Sequence, residues 1–122
     1  MKKVLLAVVA LMGTYGITEA ANILTVNNLT GCTYTLGLDG GGLVTAGPGV
    51  TIFNSNPNAN ITIAKVAYWP GATIIAETAV GLGFPYGNTM GQPTPPCLTS
   101  STYFTASWAQ ASASANATLV IF

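Results

Sequence analysis

Short runs in which side chains alternate, separated by Gly, Pro and Asn, limit most strongly what this chain can fold into. In the run Cys32–Leu38 the apolar and aromatic side chains occupy every second position, and Thr or Gly fill the others. Successive residues of a β-strand point to opposite faces, so this run predicts a strand with one buried face. Similar runs rich in Val, Ile, Thr and aromatic residues recur to the end of the sequence, without a convincing helical repeat. The sequence therefore predicts an all-β protein.

The pattern divides the chain into eight predicted strands. They are Ile23–Asn27, Cys32–Leu38, Leu43–Thr45, Val50–Phe53, Asn60–Trp69, Ala72–Val80, Thr102–Ala109 and Ala117–Phe122. Seven or eight short antiparallel strands in about 100 residues is the size of an immunoglobulin-like β-sandwich, which we expect as a single domain over residues 21–122. Within Asn60–Trp69 the apolar residues change parity, so either both faces are covered or a bulge near Ala64 and Lys65 exchanges them.

Residues 1–20 have the pattern of a secretory signal peptide. Lys2 and Lys3 precede an apolar run from Val4 to Met12, and the segment ends at Ala20 in smaller and more polar residues. A membrane-spanning helix needs about 20 apolar residues, more than this run supplies. We expect cleavage after Ala20 and export by a bacterium, which places residues 21–122 at the cell surface or outside the cell.

Charged residues are scarce. The chain has three Lys, three acidic residues, no Arg and no His, and only Asp39, Lys65 and Glu77 lie beyond residue 20. Nucleic-acid binding needs clustered Lys or Arg, and a structural zinc site needs four N or S ligands, so both are excluded. Soluble monomers usually carry a net charge, because neutrality favours association. We therefore expect the partners of this chain to be copies of itself, with no metal ion and no cofactor.

The same inventory argues against catalysis. General acid–base chemistry recruits His, Glu, Asp, Lys, Tyr or Cys, and a Ser or Thr nucleophile here has no His to activate it. Asp39 precedes three glycines, where Asp typically forms a turn. Lys65 and Glu77 fall on neighbouring predicted strands and are expected to pair across the hairpin. We expect no enzyme activity and no catalytic residue.

Cys32 and Cys97 are the two cysteines of the chain. Disulfides form and persist in exported proteins, so one bond between them is expected; two free thiols or an intermolecular bond are the alternatives. A redox site is disfavoured because the two residues do not form a Cys-x-x-Cys motif.

The two terminal strands hold candidate contacts between copies. The last strand is apolar on both faces, so it is either a central strand of its own sandwich or a strand donated to a neighbour's sheet. The candidate residues of these two strands are Leu119, Val120, Ile121, Phe122, Ile23 and Val26.

Two further segments hold candidate contacts. Gly81–Cys97 is rich in Gly and Pro and predicts a long loop, in which Phe84, Tyr86 and Met90 either cover the domain or contact another subunit. The aromatic residues Tyr68, Trp69 and Trp108 either belong to the core or form an exposed platform for a glycan.

The segment Val26–Leu36, with its Asn-Asn-Leu-Thr-Gly-Cys sequence, resembles the opening of small exported proteins from Bacteroidota, in which an Asn-Asn-x-Thr-x-Cys turn begins a sandwich. This resemblance implies export and a β-sandwich. A sandwich with one disulfide and an apolar C-terminal strand is also similar in architecture to pilin subunits joined by strand donation.

These observations favour a structural protein. We expect a subunit of an extracellular fibre, pilus-like filament or surface layer, joined by β-strand addition and by neutral apolar and Thr-rich contacts. The alternative is a secreted carbohydrate-binding module or adhesin that uses exposed aromatic residues.

Overall fold

The computed structural model describes residues 21–122, so the predicted signal peptide lies outside the described residues. These residues form nine strands: β1 (Ile23–Asn28), β2 (Tyr34–Leu38), β3 (Gly42–Ala46), β4 (Gly49–Asn54), β5 (Ile63–Tyr68), β6 (Ala76–Gly81), β7 (Tyr86–Asn88), β8 (Thr105–Gln110) and β9 (Ala117–Ile121). The predicted all-β class is confirmed. The count exceeds the prediction because the expected loop Gly81–Cys97 contains β7, which pairs with β8. Across residues 21–122 there is no helix long and apolar enough to cross a membrane.

The strands form a two-layer β-sandwich. One sheet has five strands in the order β4-β1-β9-β8-β7, and the other has four in the order β3-β2-β5-β6. The expectation of antiparallel strands throughout needs one correction, because β1 and β9 are parallel. β9 lies between β1 and β8, parallel to β1 and antiparallel to β8.

The core lies between the inner faces of the two sheets. The alternation seen in the sequence decides which residues enter it: in β2 the buried residues are Tyr34, Leu36 and Leu38, with half-buried residues between them. Tyr34 packs on Phe104 with 4.7 Å between ring centroids. The five-stranded sheet contributes Leu24, Val26, Ala106, Trp108, Ala117, Leu119 and Ile121 to the same core.

The change of parity near β5 has a simple explanation. Ile61 is fully buried but precedes the strand, whereas inside β5 the inward side chains are Ala64 and Val66, and Ile63 is exposed. β5 pairs with β6 in continuous register, so the bulge near Ala64 and Lys65, one of the two alternatives for this parity change, is not present.

The turn between β1 and β2 is closed by side chains. The Oδ1 atom of Asn28 accepts hydrogen bonds from the N–H and the hydroxyl of Thr30, and its Nδ2 atom donates to the carbonyl of Cys32 at 2.7 Å. Asn and Thr commonly fold a turn back on its own backbone in this way. The turn presents Cys32 to the core, where the predicted disulfide to Cys97 is confirmed, with 5.2 Å between the Cα atoms.

Candidate interaction surfaces

The predicted donor strand, β9, is a central strand of its own sheet. It lies between β1 and β8 and pairs with both. Leu119 and Ile121 are fully buried, Val120 is half-buried on the outer face, and Phe122 is exposed. The structure therefore agrees with the interpretation of this segment as a central strand of its own sandwich. Leu119 and Ile121 therefore face the core of their own domain, away from any second copy.

The predicted contacts of β1 divide in the same way. Val26 points into the core and is fully buried, whereas Ile23 lies on the outer face, beside Asn54 of β4, and is partly exposed. Only Ile23 of this pair is available to another molecule.

The predicted contacts around β7 are on the surface. Phe84, Tyr86 and Met90 are all exposed, and Tyr86 is 75% exposed. The absence of a side chain at Gly87 allows β7 to lie close to β6, because a Cβ atom at this position would collide with the Thr78 hydroxyl. Tyr86 precedes Gly87 on the strand, so its side chain points to the other, solvent-facing side.

The aromatic residues proposed for a glycan platform do not share one exposed surface. Trp108 is only 6% exposed, and its indole N–H donates to Oε1 of Gln110 at 3.0 Å. Tyr68 is half-buried, with its ring edge-on to Tyr34 at 6.5 Å. Trp69 is partly exposed. Of the two interpretations, the core one holds for Trp108, because its inward position on β8 places it between the sheets, and Trp108 is not part of an exposed platform.

The side of the sandwich at β6 and β7 is protected against pairing with another chain. The Gln92 side chain caps the open edge of β6: it accepts from the N–H of Glu77 at 2.8 Å and donates to its carbonyl at 2.9 Å. Gly81 and Phe84 exchange two backbone hydrogen bonds of 3.1 Å. β7 is three residues long. Short strands and capped edges are usual defences against edge-to-edge association.

The opposite side ends in the edge strands β3 and β4. The N–H of Leu29 donates to the carbonyl of Ile121, which shows that odd-numbered residues of β1 bond to β9. Even-numbered residues such as Val26 therefore bond to their partners in β4, and Val26 is opposite Thr51. Alternate residues of β4 point their backbone groups the other way, so the N–H and C=O groups of Val50 and Ile52 are directed away from the sheet.

This edge has none of the usual defences. β3 and β4 contain no charged residue and no Pro, and both are five or six residues long. Leu43 of β3 is exposed, and Val50 and Ile52 of β4 are 65% and 62% exposed. An uncharged edge strand with exposed apolar side chains is a ready template for another strand. Sequence reasoning missed these three residues, although β4 carries apolar side chains at both Ile52 and Phe53, which is more than a strand with one buried face requires.

The charges of the described residues all lie on the four-stranded sheet or at its end. Lys65 and Glu77 form the predicted cross-strand ion pair, with 3.2 Å between Nζ and Oε1, and Asp39 follows β2 directly. The five strands of the other sheet contain no charged residue. Its outer face, which includes Thr25, Asn27 and Thr118, presents hydroxyl, amide and apolar groups.

Asp39 holds the start of β5 close to the end of β2. Its carboxylate accepts hydrogen bonds from the N–H groups of Thr62 and Ile63, at 2.8 and 3.1 Å, and from the Thr62 hydroxyl. Partial burial raises the pKa of Asp39, but these hydrogen bonds lower it by more, so the pKa lies below its usual range. Asp39 lies in a turn, as predicted, but its carboxylate bonds to the segment that begins β5 and so ties two strands together.

We expect this low pKa to contribute a small, pH-dependent part of the stability. A carboxyl group whose pKa is lowered by folding stabilises the protein above the pKa of the unfolded chain, about 4, and this contribution is lost as pH falls through the folded-state pKa. Denaturant unfolding of wild type and Asp39→Asn between neutral pH and about pH 2 measures it. Wild type should lose more stability on acidification, by less than about 1 kcal/mol because the group is exposed. Equal slopes would contradict the assignment, since the side chain of residue 39 is the only difference between the two proteins.

Residues 21–122 bring no three His, Cys, Asp or Glu side chains together as a metal site would require. No protein family, curated protein or solved structure was found to match the chain. The function is therefore argued from the surfaces themselves.

Proposed function

We propose that this protein is a structural, non-enzymatic subunit of an extracellular assembly, either a fibre, a pilus-like filament or a surface layer. Copies associate by β-strand addition and by neutral contacts. The observation that carries this proposal is the contrast between the two sides of the sandwich. β6 is capped by Gln92, whereas β3 and β4 offer unpaired backbone groups beside exposed Val50 and Ile52.

The distribution of charge supports the proposal. In a contact about a two-fold axis, a charged residue close to the axis meets its own copy, and like charges repel. Lys65 and Glu77 neutralise each other on one sheet, and the other sheet carries no charge. Two copies that meet through the five-stranded sheet or its edge therefore desolvate no charged group, which would be costly.

A growing assembly needs more than one contact surface. Phe84, Tyr86 and Met90 supply a second exposed apolar set, at the β7 end of the five-stranded sheet. β4 is at the other end of the same sheet. With contacts at both ends, copies can add in series along the strand order.

Export and the extracellular location are part of the proposal. The disulfide between Cys32 and Cys97 suits an oxidising compartment, and residues 1–20 have the pattern of a signal peptide. We infer that the chain acts at the surface of a bacterium or outside it. The glycan-binding alternative has less support, since Trp69 is the only tryptophan of residues 21–122 with a sizeable exposed surface.

Ile52→Lys tests the edge directly. A lysine at this position places a cation beside the backbone groups that a second strand would pair with, which is how natural edge strands prevent association. We expect the concentration at which purified residues 21–122 assemble to rise at least about tenfold, equivalent to about 1.4 kcal/mol. Light scattering against concentration measures the change, and electron microscopy shows whether filaments or sheets form.

Leu29→Lys is the matched control. Leu29 is 65% exposed, close to the value for Ile52, but lies after β1, outside the strands of either edge. This variant should assemble like wild type. A wild-type chain that stays monomeric at high concentration, without visible polymers, would overturn the proposed function.

A further inference from the structure

The free edge of β4 is complementary to a second copy of itself. Its outward backbone groups belong to Val50, Ile52 and Asn54, each two residues from the next. In an antiparallel ladder, residues that exchange two hydrogen bonds also recur at every second position. A second β4 running in the opposite direction can therefore place its Ile52 opposite Val50 and its Val50 opposite Ile52. This register satisfies the backbone groups of Val50 and Ile52 in both chains.

Side chains select this register. With Val50 opposite Ile52 of the second copy, both cross-strand pairs are apolar, and such pairs stabilise a sheet. The neighbouring register, in which Ile52 faces Ile52, also pairs the backbone of Asn54. It places each exposed Val50 opposite an amide side chain, however, which is a poorer side-chain match than Val50 with Ile52. The favoured register has a two-fold axis beside Thr51, because Thr51 faces its own equivalent.

We infer that two copies pair β4 with β4, antiparallel about a two-fold axis at Thr51, and so join their five-stranded sheets into one continuous ten-stranded sheet. This inference rests on the proposed function and names the partner and register of its edge contact. We take the occupant to be a second copy, because the exposed side chains of Val50 and Ile52 in one copy then meet those of the other as apolar pairs. The edge also contains no charge that would either repel a copy or select a charged peptide.

Cysteine pairing tests the register. Two preparations of residues 21–122, one with Val50→Cys and one with Ile52→Cys, are distinguished by an affinity tag, mixed and mildly oxidised. In the inferred register these two positions are a directly opposed pair with Cα atoms about 5.5 Å apart, which is within disulfide range. Identical positions of the two copies are diagonal, more than about 7 Å apart, and cannot be bridged without backbone movement.

We expect the mixture to give an interchain disulfide, and either preparation alone to give less than about a tenth as much. A mixture of Leu29→Cys with Ile52→Cys is the matched control and should behave like a single preparation. Mass mapping without reduction confirms that Cys32 and Cys97 remain bonded, and circular dichroism confirms that both variants are folded. Both substituted side chains are exposed, so neither leaves a cavity.

The outcomes separate this inference from the proposed function. Filaments or layers without selective crosslinking overturn the inference and leave the proposed function standing. Selective crosslinking in dimers that never grow supports the inference and overturns the proposed function. A chain that stays monomeric and uncrosslinked overturns both, and would leave the edge to a partner other than a second copy.

Discussion

Removal of the disulfide, by Cys32→Ala together with Cys97→Ala, is expected to lower the free energy of unfolding by about 4 kcal/mol. The bond closes a loop with a sequence separation of 65 residues, and cutting it releases that constraint on the unfolded chain. It also ties the turn before β2 to the segment that leads into β8. Small domains have about 5 to 15 kcal/mol of stability in total, so the loss is a large fraction. Equilibrium unfolding in urea, followed by tryptophan fluorescence, measures it.

Wild-type protein treated with a reductant is the natural control. Reduced wild type and the double Ala variant should unfold at similar denaturant concentrations, both well below the oxidised protein. A difference of less than about 1 kcal/mol between oxidised and reduced protein would mean that the unfolded chain is already compact or that the bond strains the fold.

Asn22→Ala is expected to cost about 3 kcal/mol of stability. Asn22 is buried just before β1, and its Oδ1 atom accepts from the N–H of Ile61 at 2.8 Å. Its Nδ2 atom donates to the carbonyls of Ile61 and Ala115, each at 2.9 Å. One side chain thus links the starts of three strands, β1, β5 and β9. Alanine leaves the buried N–H of Ile61 without this partner. A buried N–H group without a hydrogen bond destabilises the folded state by more than a typical hydrogen bond stabilises it.

Asn22→Asp separates hydrogen bonding from size. The aspartate can still accept from Ile61, but its second oxygen faces the carbonyls of Ile61 and Ala115. Burial and these carbonyls should raise the pKa of the new carboxyl group, because both disfavour the charged form. The variant should then be least stable above that raised pKa, and regain stability relative to wild type as pH falls through it. Urea unfolding at several pH values tests this, and a pH-independent deficit would contradict the assigned contacts.

Most of the fold was predictable because alternation is a local signal. Residues such as Leu36, Val66 and Trp108 lie at every second position of their strands, and burial of one face follows from that spacing. The disulfide was predictable from two cysteines in a chain that begins with a predicted signal peptide. β7 was not, because its Tyr-Gly-Asn sequence lies among Gly and Pro residues and is held by contacts with β8 and β6, which are distant in sequence.

The candidate surface was harder to predict, because a side chain's type does not say which layer will cover it. Leu119 and Ile52 are both apolar residues in strands with apolar neighbours, yet one is fully buried and the other is exposed. Leu119 points between the two sheets, whereas Ile52 lies on the outer face of β4, at an edge where no further strand adjoins it. Strand order depends on pairings between distant segments, and no local pattern records it.

The parallel pairing of β1 with β9 gives the molecule two different poles. Both β1 and β9 begin at one pole of the sandwich, and both end at the other. In the dimer that we infer, the two-fold axis relates copies whose strands run in opposite directions, so each pole of that dimer would display one start of β1 and one end of β9. A fibre that extends from such dimers along the strand order has no direction, and its two tips are identical. Such a fibre would add subunits equally at both tips, as a sheet or layer can, whereas a filament assembled at a single base adds them at one end.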